Sequence, residues 1–179
     1  MGDKYPLVVK ALREALAHLP EIVGSYDKSQ GYELVGFLWN QGLSDATPKK
    51  AAEYESNLVH LINDLRKEFE APALKAVIGL TGNWGHRPQE TLTKWGRDES
   101  QRQEFLAALQ KVQEAQWAVA QRPEFQGSVA TAETRDFWRP REEHGGHGTE
   151  THWMANGESY WLIGESMGRE MIRLLAPGG

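Results

Sequence analysis

The sequence predicts an α/β domain, a three-layer α/β/α sandwich built on a parallel sheet. Three observations carry that expectation. Apolar stripes at helical spacing alternate along the chain with short apolar runs of β-forming residues. The run Tyr32–Trp39 is apolar on both of its alternations, as expected of a strand covered on both faces. The first two short runs also end in polar segments that contain glycine, the pattern of strands whose carboxyl ends open into loops. Strand-helix alternation implies parallel pairing through right-handed crossovers.

The elements follow in order. Tyr5, Val8, Val9, Leu12, Leu16 and Leu19 recur at helical spacing until Pro20, which predicts an amphipathic first helix. The first strand spans Tyr32–Trp39. After an Asp45-Ala-Thr-Pro turn, Tyr54, Leu58, Leu61, Ile62, Leu65 and Phe69 form the cleanest apolar helical stripe in the chain. A second strand, Leu74–Leu80, runs into Thr81-Gly-Asn-Trp-Gly85, and polar residues from Arg87 to Gln101 read as a continuing loop. Phe105, Leu109, Val112, Gln116 and Val119 mark a long helix that ends before Pro123, and a third strand is expected around Gly127–Thr131. A Gly- and His-rich loop fills 139–151. Asn156 then caps a last helix whose buried face is read as Tyr160, Ile163, Met167, Met171 and Leu174.

Length and charge narrow the function classes. With 179 residues the chain suits one domain over 1–179 with a real core. A formal charge of -5 with scattered Lys and Arg argues against a nucleic-acid partner. The absence of cysteine removes disulfides, thiolate metal sites and cysteine nucleophiles. No stretch is apolar enough to span a membrane, and Met1-Gly-Asp-Lys-Tyr-Pro-Leu7 lacks a signal core. The expected location is the cytoplasm for the sequence as written, or outside the cell if a longer precursor exists.

Chemistry is expected where the first strand ends, at Trp39, Asn40, Gln41, Gly42, Ser44 and Asp45. A second block, His152-Trp-Met-Ala-Asn-Gly-Glu-Ser-Tyr-Trp-Leu-Ile-Gly164, sets a histidine just before a capped helix. Together with Tyr26-Asp-Lys-Ser-Gln-Gly-Tyr32 and Phe37-Leu-Trp-Asn-Gln-Gly42, these segments resemble the sialate O-acetylesterase-like (SASA) domain, a branch of the SGNH, or GDSL-type, hydrolases. The resemblance is to the later half of such a domain, so the first strands of the sheet are expected to be missing.

The resemblance implies a carbohydrate O-acetylesterase, or the later part of one, acting on an acetylated carbohydrate without cofactor or metal. Gln41 takes the place of an oxyanion donor, with a neutral amide carrying two N–H groups. Gly42 lets the backbone approach an acyl group. His152 takes the place of the general base, and an imidazole of ordinary pKa about 6.5 suits that task once a carboxylate orients it. The wider superfamily usually has an Asp three residues before that histidine, where this chain has Thr149. Glu150 is the nearest carboxylate, with Glu142 and Glu143 farther off.

Other departures concern the nucleophile. The family's early Gly-x-Ser block is not found, and Met1-Gly-Asp is followed by Lys4. Ser44 lies in no nucleophile-elbow pattern and reads as a turn hydroxyl. Leu43 stands where the family often has an acidic or aromatic residue, whereas Asp45 matches. Among the seven tryptophans, Trp39, Trp84, Trp95, Trp138 and Trp153 lie near strand ends or loops and could stack on a sugar beside Asn40 and Asp45, with Trp84 and Trp95 the first candidates. Trp95 and Trp138 share a loop setting, and Trp117 and Trp161 fall within helices.

His144, His147 and His152 with Glu142 and Glu143 offer nitrogen and oxygen ligands to zinc or nickel. A Gly-rich loop holds no fixed ligand geometry, so a solvated loop carrying one catalytic histidine is the preferred reading. Two other functions stay open: an inactive glycan-binding remnant without the nucleophile, and an α/β fragment that pairs with itself or a partner chain through an exposed sheet edge.

Overall fold

The computed structural model describes residues 4–92, 98–140, 143 and 150–176. Three parallel strands form one sheet in the order β1-β2-β3: β1 Gly36–Trp39, β2 Lys75–Gly79 and β3 Val129–Ala132. Gly36 pairs with Lys75 and Trp39 with Ile78, while Ala76 pairs with Val129 and Gly79 with Ala132. The main helices are α1 Tyr5–Ala17, α2 Leu19–Ile22, α3 Pro48–Glu68, α4 Pro88–Thr91, α5 Glu99–Gln121 and α6 Gly157–Leu175.

Two packed layers follow from the period-2 alternation of β2. Ala76 and Ile78, both fully buried, join Tyr54, Leu58 and Ile62 of α3 and Val112 and Val119 of α5 in one core. Val77 points the other way, into Ile163 and Met167 of α6. Two crossovers in the same direction, through α3 and then α5, place both helices on one face, and α6 covers the other. The sandwich is therefore the one expected. Burying a side chain such as Ile62, at 0% exposure, makes its truncation to Ala cost about 2–5 kcal/mol.

The sheet edge corrects the sequence reading. The strand expected over Tyr32–Trp39 and covered on both faces is four residues long, and among the described residues it pairs only with β2. Phe37 and Trp39 pack on the α3/α5 core, but Leu38, on the α6 side, is 49% exposed. Tyr32 and Val35 are exposed as well. Among the described residues β1 has no second neighbour, and of the first half of the run only the Val35 carbonyl joins the ladder, accepting from the Lys75 N–H at 3.0 Å. Met171 of α6 reaches only as far as Gly36, where a Cβ would stand 2.5 Å from its methyl group.

Other boundaries shift for local reasons. The amphipathic first helix forms, yet it buries no residue, and its ties to α3 include an Arg13–Glu68 ion pair of 2.5 Å. The expected loop 87–101 contains α4, and α5 starts at Glu99 because the Asp98 side chain caps it by accepting from the Gln101 N–H at 2.8 Å. Asn156 caps α6 as predicted, accepting from Ser159 N–H at 3.0 Å.

Candidate active site

The carboxyl ends of β1 and β2 and the segment before α6 converge on one cleft of about 530 Å³. Asn40, Gln41, Gly42 and Ser44 line it from the β1 side, and Thr81, Gly82 and Asn83 from β2. Thr151, His152, Trp153 and Tyr160 line it from the α6 side. The two segments singled out in the sequence, 111 positions apart at Gln41 and His152, thus share one crevice.

A buried amide sets the β1 and β2 walls. Gln116 of α5 is fully buried; its Nε2 donates to the Gln41 carbonyl at 2.9 Å and to Thr81 Oγ1 at 3.1 Å. Its Oε1 accepts from the Thr81 backbone N–H at 2.8 Å. The Tyr54 hydroxyl adds a donor to the same Gln41 carbonyl at 2.7 Å and accepts from Trp39 Nε1 at 3.3 Å. Burial pushes the Tyr54 phenol above its ordinary value, and the nearby Asp45 charge acts in the same direction. These bonds draw the two strand ends so close that Gly42 admits no side chain: a Cβ there would meet Thr81 Oγ1 at 2.0 Å. Gly42 is required by this close approach.

The Gln41 side chain is engaged. Its Nε2 donates to Asp45 Oδ2 at 2.9 Å and to Ser44 Oγ at 3.0 Å, which uses both of its N–H groups. Asp45 also pairs with Lys50 at 3.3 Å. The expected oxyanion donor therefore lines the cleft with its amide turned into its own turn. Asp45 and Trp39 border a separate hollow on the α3 side and do not line the cleft. Ser44 is exposed on a 3-10 turn, Leu43–Asp45, consistent with its reading as a turn hydroxyl.

The His152 wall is made differently. Trp153, Met154 and Ala155 have φ of 51°, 56° and 55°, three successive non-glycine residues in the left-handed region. Each such residue costs about 1–2 kcal/mol, so packing has to hold them. Trp153 and Met154 are 6% and 4% exposed, and Asn156 N–H closes the turn onto the Trp153 carbonyl at 2.9 Å. The turn leaves the His152 imidazole exposed in the cleft, while its carbonyl accepts from the Tyr160 hydroxyl at 3.2 Å. Asn83 Nδ2 ties the β2 side to this wall through the Thr151 carbonyl at 3.2 Å.

Among the described residues no carboxylate hydrogen-bonds the His152 ring. Glu143 is exposed, and Glu142, Thr149 and the side chain of Glu150 lie outside the described residues, as do His144, His147 and Trp95.

The tryptophans need correction. Trp84, read as a sugar platform in a polar loop, is 1% exposed and forms an edge-on contact with Phe105 at 5.7 Å between centroids. Trp138 stacks at a tilt against Trp84 at 6.2 Å and against Trp153 at 6.0 Å. This aromatic cluster packs beneath the cleft, and Trp84 has no free face for a ligand. Tyr160 is corrected the other way: read as part of a buried helical face, it is 45% exposed and lines the cleft.

Gln116, Thr81, Asn83 and Tyr54 were not among the expected site residues. A glutamine within the apolar stripe Leu109, Val112, Gln116, Val119 was the available signal, since a buried amide needs partners that helical spacing alone does not supply.

Fold and cleft together define an α/β/α domain with a polar crevice at the carboxyl ends of a parallel sheet. Residues 4–121, more than half of the chain, match the family model described as carbohydrate esterase, sialic acid-specific acetylesterase (SASA). The chain belongs to that family. The matched region includes Gln41, Gly42, Thr81 and Gln116 and ends before His152. No curated protein and no solved structure matches the chain. No helix among the described residues is long and apolar enough to cross a membrane.

Proposed function

We propose that this cleft is the base-bearing part of a carbohydrate O-acetylesterase site, with the ester bound between Gly42 and His152. The observation that carries the reading is the convergence of Asn40–Ser44 and Thr151–Trp153 on one crevice in a chain of this family. His152, with its ring exposed in the cleft, takes the proton of an attacking hydroxyl and returns it to the departing sugar oxygen. Gly42 gives the acyl group room, and Asn40 faces the same space. Gln41 acts as the oxyanion donor once its amide swings from Ser44 or Asp45 toward the developing charge, so those two residues hold it in reserve.

The attacking hydroxyl comes from a Gly-x-Ser segment beyond these residues. Its place is the open edge of β1, where an added strand would end beside Asn40 and Gln41. Glu150 is the carboxylate proposed to orient His152.

Hydrolysis of p-nitrophenyl acetate tests this. The chain alone is expected to be inactive, and addition of a serine-bearing strand segment is expected to bring turnover that His152→Ala abolishes. Turnover indifferent to His152, or none after such reconstitution, would refute the assignment. A second reading, a glycan-binding remnant that never hydrolyses, is favoured by one observation: both Gln41 amide N–H groups already have partners. Binding of an acetylated sugar without hydrolysis in the reconstituted protein would select it.

A further inference from the structure

A second concavity, of about 540 Å³, runs along the flank of α5 and is walled on its other side by His86, Gln89 and Arg135. Along α5, Gln103, Gln110, Gln113 and Trp117 follow one another at intervals of three, four or seven residues, so they share one helical face. Leu106 and Ala107 form an apolar floor between them, and Trp117, 40% exposed, closes one end. Planar amides flanking an exposed indole match a pyranose well: the ring covers the C–H face while the amides serve the equatorial hydroxyls. The volume lies within the range of small-ligand sites, roughly 300–1,000 Å³.

The charges select among sugars. Arg135 is matched by Glu133, with contacts of 2.9 and 2.6 Å, and His86 by Asp136 at 2.6 Å. Glu114, also in the groove, accepts from Gln110 at 2.7 Å. Among the described residues that line the groove, the one guanidinium, Arg135, is already paired and Glu114 adds a carboxylate, so a carboxylated sugar is disfavoured. The groove is also tied to the cleft: Gln113 Nε2 donates to the carbonyl of Thr81, a cleft residue, at 2.6 Å.

We propose that this groove is a second glycan subsite, which takes a neutral, unacetylated pyranose of the chain whose ester occupies the cleft. The inference rests on the carbohydrate reading of the cleft, but its own ligand carries no ester. That difference separates the two in experiment.

The test is an NMR titration of the protein with xylotetraose and cellotetraose, with tetragalacturonic acid as the anionic control. The indole N–H signal of Trp117 is assigned by its loss in Trp117→Phe. A neutral tetrasaccharide is expected to shift that signal saturably and tetragalacturonic acid to leave it still. Trp117→Ala should weaken binding roughly tenfold, the scale of one lost aromatic stacking contact. Ala107→Arg, at an exposed helical position, should block the groove without unfolding the protein, and His152→Ala should leave groove binding intact. Neutral sugars that shift only cleft signals, or that leave the Trp117 signal unmoved, would overturn the subsite even if the cleft proves to be an esterase. Groove binding without any cleft response to an acetylated sugar would uphold the subsite and count against the esterase reading instead.

Discussion

The two walls of the cleft are held by opposite means. On the β1 and β2 side, Gln116, Tyr54 and Thr81 satisfy one another and the Gln41 carbonyl, so geometry there is fixed by hydrogen bonds in a buried setting. On the α6 side, Trp153, Met154 and Ala155 sit in a conformation that L-residues resist, and the apolar burial of Trp153 and Met154 keeps the turn there. The difference teaches where each wall is vulnerable. The first fails when a polar partner is removed, whereas the second gains when its backbone strain is relieved.

The largest effect is expected from Gln116→Leu, which keeps side-chain bulk but strips the Thr81 N–H of its partner and the Gln41 carbonyl of one of its two donors. The buried orphan costs about 1–3 kcal/mol and each further hydrogen bond lost, to the Gln41 carbonyl and Thr81 Oγ1, about 0.5–1.5 kcal/mol, so a loss of about 3 kcal/mol in urea unfolding is expected. A loss below about 1 kcal/mol would show that the β wall is not held by this amide. Gly42→Ala comes next, because its methyl would overlap Thr81 Oγ1. Overpacking of this kind costs about 1–3 kcal/mol, measurable by thermal denaturation, and an unchanged Tm would mean that the strand ends separate freely.

Tyr54→Phe should cost about 1–2 kcal/mol at neutral pH through its lost hydrogen bonds. It also tests a sign. The folded phenol has a raised pKa, so its stabilising contribution is whole below the ordinary value of 10.0 and fades as pH climbs from there toward the folded value. The wild-type protein should lose stability more steeply than Tyr54→Phe above pH about 10. Parallel curves would remove Tyr54 as a buried, proton-holding member of the wall. The smallest effect has the opposite direction: Ala155→Gly, at an exposed left-handed position, should stabilise by about 0.5–1 kcal/mol. Destabilisation there would deny the strain assigned to the His152 wall.

Legibility in the sequence followed burial. β2 and the stripes of α3 and α5 were readable because both faces of the strand and one face of each helix meet apolar neighbours, and periodicity reports that directly. The amino-terminal half of the Tyr32–Trp39 run was misread, since its composition matches a covered strand while its side chains meet no second layer. The meeting of Gln41 and His152 at one cleft was legible through their motifs. The bonds of Gln116 were not, because they join residues 75 and 35 positions apart, and no local pattern encodes such a meeting. The turn Trp153–Ala155 was hidden for another reason: positive φ usually announces itself through glycine or asparagine, and here it falls on residues that resist it. Trp84 was placed in a polar loop by its neighbours in sequence, but Phe105 and Trp138 reach it from other elements.

The central claim is that the Gln41 amide and the His152 imidazole serve one acyl group in one crevice. The most direct measurement is an NMR titration of the protein with O-acetylated N-acetylneuraminic acid, following the Gln41 side-chain N–H₂ and the His152 ring protons together. Both sets of signals are predicted to shift along a single binding curve, with the deacetylated sugar binding more weakly. Shifts at only one of the two, or two curves with different midpoints, would contradict a shared site.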